Sequence, residues 1–292
     1  MTTKLGRTSL RILFSLISII CASAASHAAD CTLVKVAEVP VVATEAGLAF
    51  DVLVNGRPVK ASLGGGVNAA ATMTEDLAKS LGLDANPTFV TQPGLQIRIG
   101  KAEIENVSLL LNDPNATLSP DHPFQVGPEL FANFDLEIDL SKQRLALFKT
   151  DHCPRQAVYW AKEWFEMPYE TKRVSAPIVA VQVNDNQIDA EIHLSAYHTN
   201  ISDSGAWKVG VSRTNGHEAI LDTLEFGGIR LRHVTVGQLV LRSKDPISGE
   251  LSRTDAKSIG YTDMTIGQDI LRKLRLYVSR KEKLIYFTLA SG

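Results

Sequence analysis

An excess of charge of either sign is what this chain most plainly lacks. Its 292 residues carry 30 Lys and Arg against 32 Asp and Glu, a formal net charge of −2. No basic run interrupts that balance, so the electrostatic footprint of a nucleic-acid binder is missing. Cysteine is scarce too. Of three in all, one lies in the N-terminal apolar run; the others, Cys31 and Cys153, stand apart from the strand-end motifs described below, which argues against a thiol nucleophile. His193 and His198 are five apart, with no further Cys, Asp or Glu at ligand spacing. Zinc takes three or four ligands, so no metal or other cofactor is expected. Beyond the N-terminus no apolar run is long enough to cross a bilayer.

The N-terminus reads as an export signal. Lys4, Arg7 and Arg11 precede the apolar run Ile12–Ala22, and Ser26-His27-Ala28 offers a cleavage site before Ala29. The run is too short to favour a spanning helix, and Ile20 stands before Cys21 where a lipoprotein acceptor needs a small residue. Residues 1–28 are expected to be a signal peptide and the protein to be periplasmic or secreted; an uncleaved anchor is the alternative.

What is present is a repeat. Val52–Gly66 and Val181–Ser195 each read as strand, polar turn, strand, with Asn55-Gly56 in one turn and Asp185-Asn186 in the other. Each is followed by a short capped helix ending apolar-Gly-apolar, at Leu81-Gly82-Leu83 and Val209-Gly210-Val211; Thr72 and Glu75 have capping-box spacing. The blocks Gly127–Asp139 and Gly267–Ser279 align without a gap, and each leads into a last strand, Arg144–Phe148 and Lys283–Phe287. The copies are roughly a hundred residues long, a period too large for a solenoid, so two similar lobes are expected.

This order of elements resembles the retropepsin-like aspartic proteases in their exported bacterial form, with two lobes in one chain. The blocks at Gly127 and Gly267 carry the likeness most specifically, and Ala196, Thr199 and Ser202 match the loop after the catalytic triplet. The resemblance implies a mostly β fold: two acid-protease β-barrel lobes with short helices, one over 35–150 and one over 176–290, joined by an aromatic-rich linker at 151–175. It also implies a groove between them.

The catalytic triplet is where the sequence departs from that family. Asp-Thr-Gly is replaced by Gly64-Gly65-Gly66 in the first copy and by His193-Leu194-Ser195 in the second. Aspartic proteases share one proton between two carboxylates, and neither copy supplies one. The expectation is a non-catalytic binder of an extended peptide or protein segment, a monomer, with Gly65, Asn68, His193, Ser195 and His198 lining the groove. Relocated carboxylates (Asp51, Asp189, Asp203, Asp263 or Glu75) would make it an acid hydrolase instead, and contacts outside the groove would make it an envelope assembly factor. A Ser195–His193 nucleophile pair looks unfavourable: on an extended strand the two side chains run parallel, and no orienting acid is evident.

Export permits a disulfide, and Cys31–Cys153 would tie the start of the first lobe to its end. In the linker, Trp160 and Trp164 would share one helical face, either buried as a strap between lobes or lining the groove mouth. Further strand pairs are expected at Leu95–Ile99 with Val107–Leu111, and at Leu224–Leu231 with Val234–Val236.

Overall fold

The computed structural model describes residues 32–44, 47–64, 70–83, 89–91, 95–111, 118–171, 176–211, 218–239, 243–244, 251–252 and 262–290. The segment 1–28, Cys31, Gly65, Gly66 and Asn68 lie outside them. The fold is mostly β. A closed six-stranded barrel occupies the C-terminal half, a partly open barrel the N-terminal half, and one six-stranded sheet draws strands from both.

Each half begins with a hairpin, Gly47–Val54 with Arg57–Leu63 and Ile178–Val183 with Asn186–Ile192. The turns have positive φ at both central residues, Asn55 and Gly56 in one and Asn184 and Asp185 in the other, which corrects the expected Asp185-Asn186 turn by one residue, since Asn186 already pairs with Val183 in the strand. That geometry suits the right-handed twist of the strands and selects Asn, Asp and Gly. The turn asparagines also fix the next strand: Asn55 Oδ1 accepts from Gln96 N at 2.9 Å and Asn184 Oδ1 from Thr223 N at 3.1 Å.

The pairings then run in step. Phe124–Val126 lies parallel to Arg57–Leu63, with Val126 opposite Leu63; Met264–Ile266 lies parallel to Asn186–Ile192, with Ile266 opposite Ile192. Both crossing strands also pair antiparallel, to Ala71–Met73 and to Asn200–Ser202. Those strands run into α1 (Glu75–Ser80) and α2 (Asp203–Lys208), capped by Thr74 and Ser202. The cap of α1 is therefore Thr74; Thr72 is a buried strand residue. Two strand expectations are also corrected. Gln96–Ile99 pairs with Ala102–Glu105, and Ser108–Leu111 belongs to Ala71–Met73 instead. The second half has one long hairpin, Glu218–Phe226 with Ile229–Leu239, turning at Gly227-Gly228.

The shared sheet is antiparallel throughout, in the order Lys35–Pro40, Arg144–Lys149, Phe134–Asp139, Leu274–Ser279, Leu284–Leu289, Phe165–Pro168. Alternation sends Leu136, Ile138, Leu276 and Val278 into the core. It sends Asp135, Glu137, Asp139, Arg275, Tyr277 and Ser279 to the opposite face, where all six are buried. Charges survive there because they are paired. Glu137 accepts from Arg144 at 2.6 Å, from Arg275 at 2.7 Å and from the Tyr159 hydroxyl at 2.6 Å. The Arg275 guanidinium lies 4.2 Å from the Trp160 ring centre and 5.3 Å from that of Tyr159. The stretch around these aromatics contains no helix, which corrects the shared helical face expected for Trp160 and Trp164. It crosses the polar face of the sheet as an extended strap, and its last part becomes the edge strand Phe165–Pro168.

Candidate functional site

The strand registers locate the two triplets. Gly64 N donates to Val126 O at 2.9 Å, and His193 N donates to Ile266 O at 3.0 Å. Each is the residue just past a strand end, bonded to the last residue of the parallel neighbour, so Gly64 and His193 hold matching places. Gly47 brings the two halves together there. A Cβ added to it would stand 2.9 Å from Leu63 O and 3.2 Å from Ser195 Cβ. The space beside Gly64 is filled by Gln125, whose Cγ would lie 2.7 Å from an added Cβ. No carboxylate stands at either position.

In the second half the strand does not continue extended past Ile192. The chain turns at Leu194-Ser195, and Ala196 N donates back to His193 O at 3.2 Å. This turn overturns the expectation that His193 and Ser195 point in parallel, since Ser195 Oγ folds back to 3.0 Å from His193 Nδ1. An acid is also present. Glu191 Oε1 lies 3.8 Å from His193 Nε2, with the Glu191 side chain 13% and the His193 side chain 16% exposed. Burial pushes the Glu191 carboxyl up to about 7. The signal for Glu191 was there in the sequence as the i, i+2, i+4 set Glu191, His193, Ser195. It is legible only once the turn is known.

The loop carrying these groups is held from below by the start of α3 (Gln268–Leu271). Gln268 N donates to Ala196 O at 2.8 Å and its Nε2 to Leu194 O at 2.8 Å, while its Oε1 is buried without a partner. Asp269 Oδ1 accepts from the Thr199 hydroxyl at 2.6 Å, and Thr199 Oγ1 accepts from Gly267 N at 3.0 Å. Gly267 has no room for a side chain, because an added Cβ would meet the His198 and Ala196 backbones below 3 Å.

His198 is exposed, and its ring stands edge-on to Tyr197 at 4.9 Å. Leu194 packs against the core. Among the described residues no group of three or more His, Cys, Asp and Glu could hold a metal. Glu75 is paired with Lys79 at 2.5 Å, Asp263 with Lys208 at 2.6 Å and Asp51 with Lys60 at 2.7 Å. Asp203 is the first residue of α2. Cys153 is half-buried and is not a free thiol. No helix among the described residues is long and apolar enough to cross a membrane. No family model and no curated protein matches this chain.

Proposed function

We propose that the two halves are copies of one acid-protease-like lobe, and that the exported, monomeric protein holds an extended peptide or protein segment in the groove between them without aspartic-protease chemistry. The observation that carries this reading is the matched placement of Gly64 and His193, where the paired aspartates of such a fold would stand and neither residue is a carboxylate. The matched hairpins, crossing strands and helices support the duplication. The closeness of Gly47 to Ser195, where an added Cβ would stand 3.2 Å from Ser195 Cβ, supports a junction between the lobes at that point. An extended occupant suits such a site because main-chain hydrogen bonding to strand edges gives affinity and alternate side chains give specificity.

The test uses the purified chain beginning at Ala29 against an arrayed peptide library, read by fluorescence polarisation, with digestion followed in parallel from acid to neutral pH. The reading expects peptide binding that Gly65→Trp abolishes, and no cleavage sensitive to a pepsin-type transition-state inhibitor. Inhibitor-sensitive cleavage at acid pH would overturn it, as would binding untouched by Gly65→Trp.

A further inference from the structure

The reading above leaves a cluster unexplained. Three polar side chains alternate along the end of one strand and converge just past it: Glu191, His193 and Ser195. Ser195 Oγ is 3.0 Å from His193 Nδ1. On the far side of the ring, His193 Nε2 is 3.8 Å from Glu191 Oε1. That second separation is too long for a hydrogen bond and acts through charge. With Nδ1 as acceptor, the neutral ring carries its proton on Nε2, directed to the Glu191 side. This is the order nucleophile, base, acid, which is recognised by geometry and roles and not by sequence position.

We propose that Ser195, with His193 as its base and Glu191 as the residue that positions and charges that base, is a nucleophilic acyl-transfer site for a carboxylic ester presented in the groove. The proposal rests on the groove reading, since the groove is what would bring the acyl group to Ser195. In the reaction, Ser195 Oγ attacks the carbonyl carbon and its proton passes to His193 Nδ1. The new Oγ–C bond forms, the bond from carbon to the leaving oxygen breaks, and the departing alkoxide takes the proton from Nδ1. Water then adds to the acyl-serine, His193 again taking and returning one proton, and the free acid leaves with Ser195 restored. An ester is favoured over an amide because its carbonyl is the more electrophilic and its leaving group departs more readily.

Three features favour chemistry over coincidence. The cluster sits at the lobe junction, where Ser195 faces Gly47, a residue with no side chain to cover it. The loop is rigidly seated on Gln268 and Asp269, so the Oγ–Nδ1 geometry is preorganised. The acid is mostly buried, so where it is ionised, above about pH 7, its charge acts on the ring with little screening. The groups packed around Glu191 leave His193 as its counterpart. Its strand neighbours Ile178 and Thr265 are neutral, and on α2, which packs on the same strand, the charged residues are Asp203 and Lys208, the latter held by Asp263 at 2.6 Å.

The experiment treats the chain beginning at Ala29 with a fluorophosphonate, which forms an Oγ–P bond as fluoride leaves, and locates the adduct by peptide mass spectrometry. The proposal expects one adduct on Ser195, none in Ser195→Ala, and labelling slowed at least tenfold in His193→Gln and partly restored by added imidazole. Glu191→Gln should flatten the pH profile of labelling, which a merely structural residue would not do. Near-UV circular dichroism on each variant confirms folding. No adduct on Ser195 in the folded wild-type protein, or equal labelling in His193→Gln, would overturn the proposal. Peptide binding measured on the same samples keeps the groove reading separate: bound peptide with no adduct sinks only the nucleophile.

Discussion

Gly47 faces Ser195 where the two halves meet, so that a Cβ added to it would stand 3.2 Å from Ser195 Cβ, and Gly47 adopts φ +116°, a conformation that L side chains rarely take. Glycine is required there twice over, by backbone and by space. Gly47→Ala should destabilise the fold by roughly 1–3 kcal/mol from backbone strain alone. The crowding against Leu63 O adds to that, since backbone cannot yield as a flexible side chain would. Urea denaturation reads the loss directly, and an unchanged midpoint would contradict the contact.

Glu137 is the anion on which the polar face of the shared sheet depends. It is 1% exposed and holds Arg144, Arg275 and the Tyr159 hydroxyl. Glu137→Leu leaves the buried Arg275 with only Asp139 Oδ2, at 3.9 Å, as counter-charge and without its two hydrogen bonds to a carboxylate; removing one partner of such a pair costs about 3–5 kcal/mol. Arg144 is 23% exposed and can turn partly to water, which favours the lower end. Tyr159→Phe removes one bond to the same carboxylate and should cost about 1.5 kcal/mol. Thermal melts of both variants check the order, and a Tyr159→Phe loss exceeding that of Glu137→Leu would refute it.

Cys153 follows His152 at the edge of this buried layer and is not a free thiol. We expect it to pair with Cys31. Non-reducing peptide mapping should recover one cross-linked fragment joining the two, and reduction should lower stability by up to about 4 kcal/mol for so long a loop. A fragment linking Cys153 to any other residue, or two alkylatable thiols without reductant, would rule the pairing out.

Much of this architecture can be read in the residues, because turns and strand ends obey local rules. The hairpin at Asn55-Gly56 follows from the backbone those residues tolerate, the second hairpin is legible but turns one residue earlier than its Asp185-Asn186 pair suggests, and the blocks at Gly127 and Gly267 follow from their own likeness. Partner choice is another matter. Nothing local tells Ser108–Leu111 to leave the neighbouring hairpin for Ala71–Met73, since that depends on closing a barrel across the chain. The strap misleads for a similar reason: Trp160 and Trp164 have helical spacing, but the strap's aromatics are drawn to Arg275, which is far off in sequence. The candidate site was half legible. His193 and Ser195 stand out by position, whereas Glu191 acquires meaning only because the chain turns after His193 and stacks three alternate side chains at one place.

Two buried groups should make stability depend on pH in the same direction. Both ring nitrogens of His152 face acceptors, Asp135 Oδ2 at 2.7 Å and Cys153 O at 2.9 Å, so the folded protein favours the imidazolium, and the bond to Asp135 raises its pKa above the ordinary 6.5. That contribution is complete below the unfolded value and is lost as pH rises through the folded one. Glu191 is also raised, from 4.5 to about 7, by burial. A carboxyl so raised favours the folded state while protonated; its contribution is full below about 4.5, falls as pH climbs to about 7, and stays lost above that. The span between the two values corresponds to about 3 kcal/mol. Melting temperature should therefore fall from mildly acidic to mildly alkaline pH. Glu191→Gln should remove the lower part of that decline and melt higher than wild type above pH 7, while His152→Gln should remove the upper part. A wild-type melting temperature that climbs across the same interval would contradict both assignments, and a Glu191→Gln profile parallel to wild type would contradict the first alone.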